Sequence, residues 1–202
     1  MKKSALNLPN TLSLIRVILV PAFVASLFIM RDVYIWGRIV PAIIFILTAL
    51  TDMLDGKIAR KYNLVTDFGK FIDPLADKFM VIGSQIALLV YMILIGEKTL
   101  ALVFVWVVLL ILFRELAVTS MRLVVAGKSG IVVAASFFGK LKTVSQMVGT
   151  VIILLEPLFI ELIPWLSNHL VAYICMGIMA FTTLFSGIDY LRTYLPHIDT
   201  NK

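Results

Sequence analysis

Six long apolar runs constrain this chain more than any other feature of it. They cover about residues 11–30, 38–60, 69–95, 99–126, 139–160 and 168–192, each long enough to cross a hydrocarbon core that takes roughly 20 helical residues. Polar breaks separate them at Arg31-Asp32, Lys61 to Asn63, Gly96 to Lys98, Gly127 to Gly130 and Glu161 to Asn168. Hydrophobic residues make up 61% of the 202, against about 45–50% in soluble domains, and mean hydropathy is +1.03. A core of this size cannot bury that excess, so lipid has to solvate it. The expected fold is all-α, an integral membrane protein of six transmembrane helices forming a single domain over residues 1–202.

The opening Met1-Lys2-Lys3 suits the start of a signal peptide, but the run that follows carries Arg16 and Pro21 and reaches full membrane length. It reads as an uncleaved first helix. Fifteen of the eighteen Lys and Arg fall on the side of the N-terminus, and only Arg31, Arg38 and Lys98 fall on the other. The positive-inside rule then places both termini in the cytoplasm, in a multi-pass inner-membrane protein. The net charge of +6 suits anionic headgroups, although topology alone accounts for it equally well. No basic polar face exists for a nucleic acid. Cys175 is the single cysteine, which excludes a disulfide framework within the chain.

Acids are costly inside a membrane, yet four cluster around the second break. Asp52, Asp55, Gly56 and Ala59 fall at i, i+3, i+4 and i+7, one face of a helix; Gly69, Asp73 and Asp77 fall at i, i+4 and i+8, again one face. Antiparallel neighbours turning near Asn63 and Leu64 would set Asp52 level with Asp77 and Asp55 level with Asp73, at a rise of about 1.5 Å per residue. Four carboxylates in one volume need a compensating cation, and hard oxygen donors suit Mg²⁺, Mn²⁺ or Ca²⁺. Two such ions about 3.5–4 Å apart serve displacement at phosphorus. Gly56, Ala59 and Gly69 would leave room for a substrate beside them. The competing account pairs these acids with Lys57, Arg60, Lys70 and Lys78, but it does not explain two matched faces. Pro74 marks either a first helical turn or a kink.

A second, basic cluster faces the same depth. Arg114 lies deep in the fourth run, Arg122 near its inner end, and Lys140 and Lys142 open the fifth. These would meet a phosphate. Snorkelling to headgroups is the other reading, and Glu115 is placed to neutralise Arg114. His169 and His197 read as surface residues, one per side, and Glu156 and Glu161 are assigned no chemistry.

Residues 52–77 read D-x2-D-G-x2-A-R-x8-G-x3-D-x3-D, which resembles the full signature of the CDP-alcohol phosphotransferase family. Leu8 to Arg16, Arg114-Glu115-Leu116 and Gly139 to Gln146 resemble one branch of it, the CDP-diacylglycerol–glycerol-3-phosphate 3-phosphatidyltransferases. The resemblance implies a six-helix homodimer with its site open to the cytoplasmic leaflet and dependent on Mg²⁺ or Mn²⁺. By motif position, Asp52, Asp55, Asp73 and Asp77 would hold the metals, with Asp77 also the general base. Gly56, Ala59, Arg60 and Gly69 would line the cytidine-diphosphate site, and Arg114, Lys140, Lys142 and Arg122 would bind the acceptor phosphate. The implied reaction moves the phosphatidyl group of CDP-diacylglycerol to glycerol 3-phosphate and releases CMP. Inositol phosphate, serine or phosphatidylglycerol are alternative acceptors. A divalent-cation transporter is the alternative of another class, but it calls for acids spread through the bilayer and a route to the far side.

Overall fold

The computed structural model describes residues 8–62, 66–129, 137–163 and 168–195, with the backbone alone described at 9, 55–62, 126, 128–129 and 162. Among the described residues six helices follow in order: α1 (Leu8–Ile29), α2 (Trp36–Tyr62), α3 (Asp67–Leu94), α4 (Lys98–Ser129), α5 (Phe137–Leu162) and α6 (Leu170–Tyr194). All six are long and apolar enough to span a bilayer. The chain is a multi-pass membrane protein. Helices are the local solution because lipid offers no partner for a free N–H or C=O. Pro21, Pro41, Pro74 and Pro157 lie inside helices, so Pro74 opens no helix; it sits in the second turn of α3, where it leaves the Lys70 carbonyl without its helical donor.

Side chains fix several helix ends. Thr66 caps α3, its hydroxyl accepting from Gly69 N at 3.0 Å. At the other end of α3, Gly96 turns left-handed at φ 89°, Glu97 N reaches Met92 O and Gly96 N reaches Ile93 O. That pattern closes the last turn and lets α4 start at once. Glu156, on α5, caps α6 from outside: its Oε1 accepts from Ala172 N at 2.8 Å.

The helices form a ring of contacts in which α1 packs on both α2 and α3, α3 on α4, α4 on α6, α6 on α5, and α5 on α2 and α3. Residues Asn10, Ser13, Arg16, Val20, Phe23 and Leu27 of α1 are all buried, at a 3–4 spacing that makes one continuous seam. The seam continues into a core with Phe45, Met80, Leu88, Phe104, Ile111, Met176 and Met179. Ile18, Trp106, Phe113 and Leu123 point outward, as lipid-facing side chains do. Across the middle, Gln85 donates to Thr150 and Gln146 to Thr183, which pins α5 to α3 and to α6.

Two expectations change here. Among the described residues, helices α2 and α3 are not extensively packed on one another, and α1 packs on both. Direct packing would press acids of like charge together, and the intervening helix brings a cation instead. His169 is not a free surface residue either: its ring lies between Glu156 (3.0 Å) and Glu97 (3.1 Å). His197 lies outside the described residues.

Candidate active site

α1 and α3 run parallel, and three rungs of the buried α1 seam reach α3. Asn10 Nδ2 donates to the Thr66 hydroxyl at 2.8 Å, Ser13 donates to Asp73, and Arg16 Nη1 pairs with Asp77. The same Arg16 nitrogen lies 2.8 Å from Asp52 Oδ1, on α2. Arg16 is fully buried, while the Asp77 side chain is 51% exposed. A buried guanidinium is tolerated in lipid only with such partners. The shared nitrogen also brings Asp52 and Asp77 together, at one level as their spacing predicts. Asp55, Gly56, Ala59 and Arg60 lie outside the described side chains.

Among the described residues, the neighbouring lysines do not supply this pairing; Lys57 and Arg60 lie outside the described side chains. Lys70 pairs with Asp67 at 2.9 Å and Lys78 donates to Thr119 at 2.6 Å. Gly69 does not open room for a substrate: a Cβ there would stand 2.7 Å from Asn10 Oδ1, so α1 fills the space. Close approach of α1 is what the missing side chain permits. Asn10, Ser13 and Arg16 were absent from the candidates read from the sequence. Their signal was present, as three polar residues at i, i+3 and i+6 along one face of an otherwise apolar run.

Asp52, Asp73 and Asp77 line one cavity of about 960 Å³ with Lys78, Arg114, Glu115, Arg122, Lys140, Lys142 and Tyr190. The basic wall is internally tied. Glu115 Oε1 accepts from Arg114 at 2.8 Å and from Lys142, and Arg114 also donates to Ser186. The apolar part of the lining comes largely from α2 (Ile46, Leu50, Met53) and α5 (Val144, Val148, Val151). One chamber thus offers carboxylates on one side, cations on another and an apolar flank suited to acyl chains.

The carboxylates fit a hard divalent cation by donor chemistry, since all are oxygens and they share a wall of the chamber. Among the described residues, no three His, Cys, Asp or Glu side chains converge closely enough to enclose an ion. Asp55, the remaining aspartate of the motif, is outside that set, and Arg16 stands between Asp52 and Asp77.

The sequence profile of the CDP-alcohol phosphatidyltransferase family matches residues 6–185. The chain belongs to this family. A CDP-diacylglycerol–glycerol-3-phosphate 3-phosphatidyltransferase of Bacillus subtilis (strain 168) is 40% identical over 97% of this chain and 99% of its own length. A probable phosphatidylglycerophosphate synthase of Mycobacterium tuberculosis (strain ATCC 25618 / H37Rv) is 38% identical over 95% of this chain and 83% of its own. A further 3-phosphatidyltransferase, from Yersinia enterocolitica, is 36% identical over 93% and 94%. The CDP-alcohol phosphatidyltransferase family is generally divalent-metal dependent. Its matched span takes in the α1 rungs, the aspartate motif and the basic wall.

Proposed function

We propose that this chain transfers the phosphatidyl group of CDP-diacylglycerol to glycerol 3-phosphate, yielding phosphatidylglycerophosphate and CMP for phospholipid synthesis. The observation that carries the reading is the single chamber, in which aspartates face lysines and arginines beside an apolar flank. The relatives' names supply the acceptor. Residues 1–202 act as one transmembrane catalytic domain, as a homodimer in the inner membrane, with the acidic end toward the cytoplasm. The count of Lys and Arg at that end supports this orientation.

Asp52, Asp55, Asp73 and Asp77 would hold Mg²⁺ or Mn²⁺, two ions, which supply positive charge to a diphosphate. Arg16 holds Asp52 and Asp77 in register, and Ser13 holds Asp73. Gly56, Ala59 and Arg60 would line the nucleotide's site. Arg122, Lys140, Lys142 and Arg114 orient the acceptor by its phosphate. The acceptor hydroxyl gives its proton to Asp77 as its oxygen bonds the lipid-side phosphorus. The bond from that phosphorus to CMP breaks, and CMP leaves with the electron pair. Against ion transport, the chamber and a second cavity at the opposite end share no lining residue among those described.

The test is CMP release by purified protein from CDP-diacylglycerol with each acceptor in turn. Release with glycerol 3-phosphate supports the reading. Release only with serine, inositol phosphate or phosphatidylglycerol would reassign the acceptor, and cation flux into liposomes without CMP would remove the transferase.

A further inference from the structure

The cations of the basic wall are not equivalent. Arg114 and Lys142 share the Glu115 carboxylate, so much of their charge is compensated within the wall. Arg122 is held differently. Its Nη2 donates to the phenol oxygen of Tyr190, a neutral partner, and its guanidinium lies 4.9 Å from the centroid of that ring. Among the described residues no carboxylate pairs with it. Arg114 approaches the same ring, at 5.0 Å, from about two turns away on α4.

Tyr190 is buried, stacks on Tyr194 with centroids 5.8 Å apart, and lines the chamber together with both arginines. An aromatic face attracts a guanidinium without neutralising it. The phenol oxygen takes one of five donors and leaves the rest of the planar fork for a phosphate, which it matches in shape. We propose that Tyr190 is a positioning residue that makes Arg122 the principal grip on the acceptor's phosphate, and so favours phosphorylated acceptors. This rests on the acceptor reading above. It also reorders the wall: Arg122 is the chief hold on substrate with Lys140 in support, while Arg114 and Lys142 hold the wall together through Glu115.

The experiment is steady-state CMP release at saturating CDP-diacylglycerol with glycerol 3-phosphate varied. It compares wild type, Tyr190→Phe, Tyr190→Leu, Arg122→Gln and the Tyr190→Phe/Arg122→Gln pair. Tyr190→Phe keeps the ring and loses the hydroxyl; it should raise KM for glycerol 3-phosphate about three- to tenfold while kcat changes by less than about twofold. Tyr190→Leu should raise KM further. Inhibition by inorganic phosphate should weaken in parallel. In the Arg122→Gln background, Tyr190→Phe should add nothing, since the pair acts as a unit. An unchanged KM in Tyr190→Phe, additive effects in the pair, or a loss confined to kcat overturns the proposal. Wild-type protein that releases no CMP with glycerol 3-phosphate overturns the acceptor reading and this one with it, a failure visible before any variant is measured.

Discussion

The bundle carries a polar cluster at each end, and the two are built for different purposes. At one end, Asp77 is half-exposed to a chamber of about 960 Å³, and its partner Arg16 is shared with Asp52. At the other, Glu156 is 1% exposed; one of its oxygens caps α6 and the other meets His169, beside a cavity of about 260 Å³. Both are carboxylates in a membrane protein, and both cost free energy to bury. The capping acid uses its oxygens on the protein's own backbone and ring. The chamber acids keep surface for something else. A polar group that is satisfied internally stabilises, and one that faces an open chamber is available for chemistry.

Substitutions break or sharpen that contrast. The largest effect is expected at Asp77→Asn, which should lower kcat for CMP release about 10²–10⁴-fold, with a smaller loss of stability than Arg16→Leu because Asp52 still pairs with Arg16. Arg16→Leu comes next. It removes a buried cation shared by two partly exposed acids, so it should cost about 1–3 kcal/mol of stability, less than the full penalty of a broken buried pair, and reduce CMP release as well. Glu156→Gln should lower stability by about 1–2 kcal/mol, measured by thermal unfolding in detergent, and leave kcat within about twofold. Gly69→Ala drives a methyl group toward Asn10 and should cost about 1 kcal/mol, with activity reduced through the displaced α1 rung. Gln85→Leu, which loses only its bond to Thr150, should change stability by roughly 0.6 kcal/mol and activity not at all.

The six helices were legible to within a few residues, because membrane length and polar breaks are properties of the linear chain. The spacing of Asp52 and Asp77 was equally legible, since helical rise alone puts them level. What failed was lateral order. Periodicity says that α2 and α3 each present an acidic face, and it does not say that α1 slots between them with Arg16. The Glu156 cap was hidden for a similar reason, since a lone acid near a helix end reads as solvated until the next helix is placed above it. Gly69 was read as space for substrate, because a missing side chain does not tell which neighbour fills the gap. The buried Gln85–Thr150 and Gln146–Thr183 bonds were hidden too, because a single polar residue within an apolar run does not tell which helix it will meet.

The most direct test places Asp77→Asn and Glu156→Gln side by side, each measured for CMP release from CDP-diacylglycerol with glycerol 3-phosphate and for melting temperature. The expected result is an Asp77→Asn that is inactive although still cooperatively folded, and an active but less stable Glu156→Gln. An Asp77→Asn protein that turns over at the wild-type rate, or a Glu156→Gln protein that melts normally yet releases no CMP, would contradict the assignment of chemistry to the acidic end.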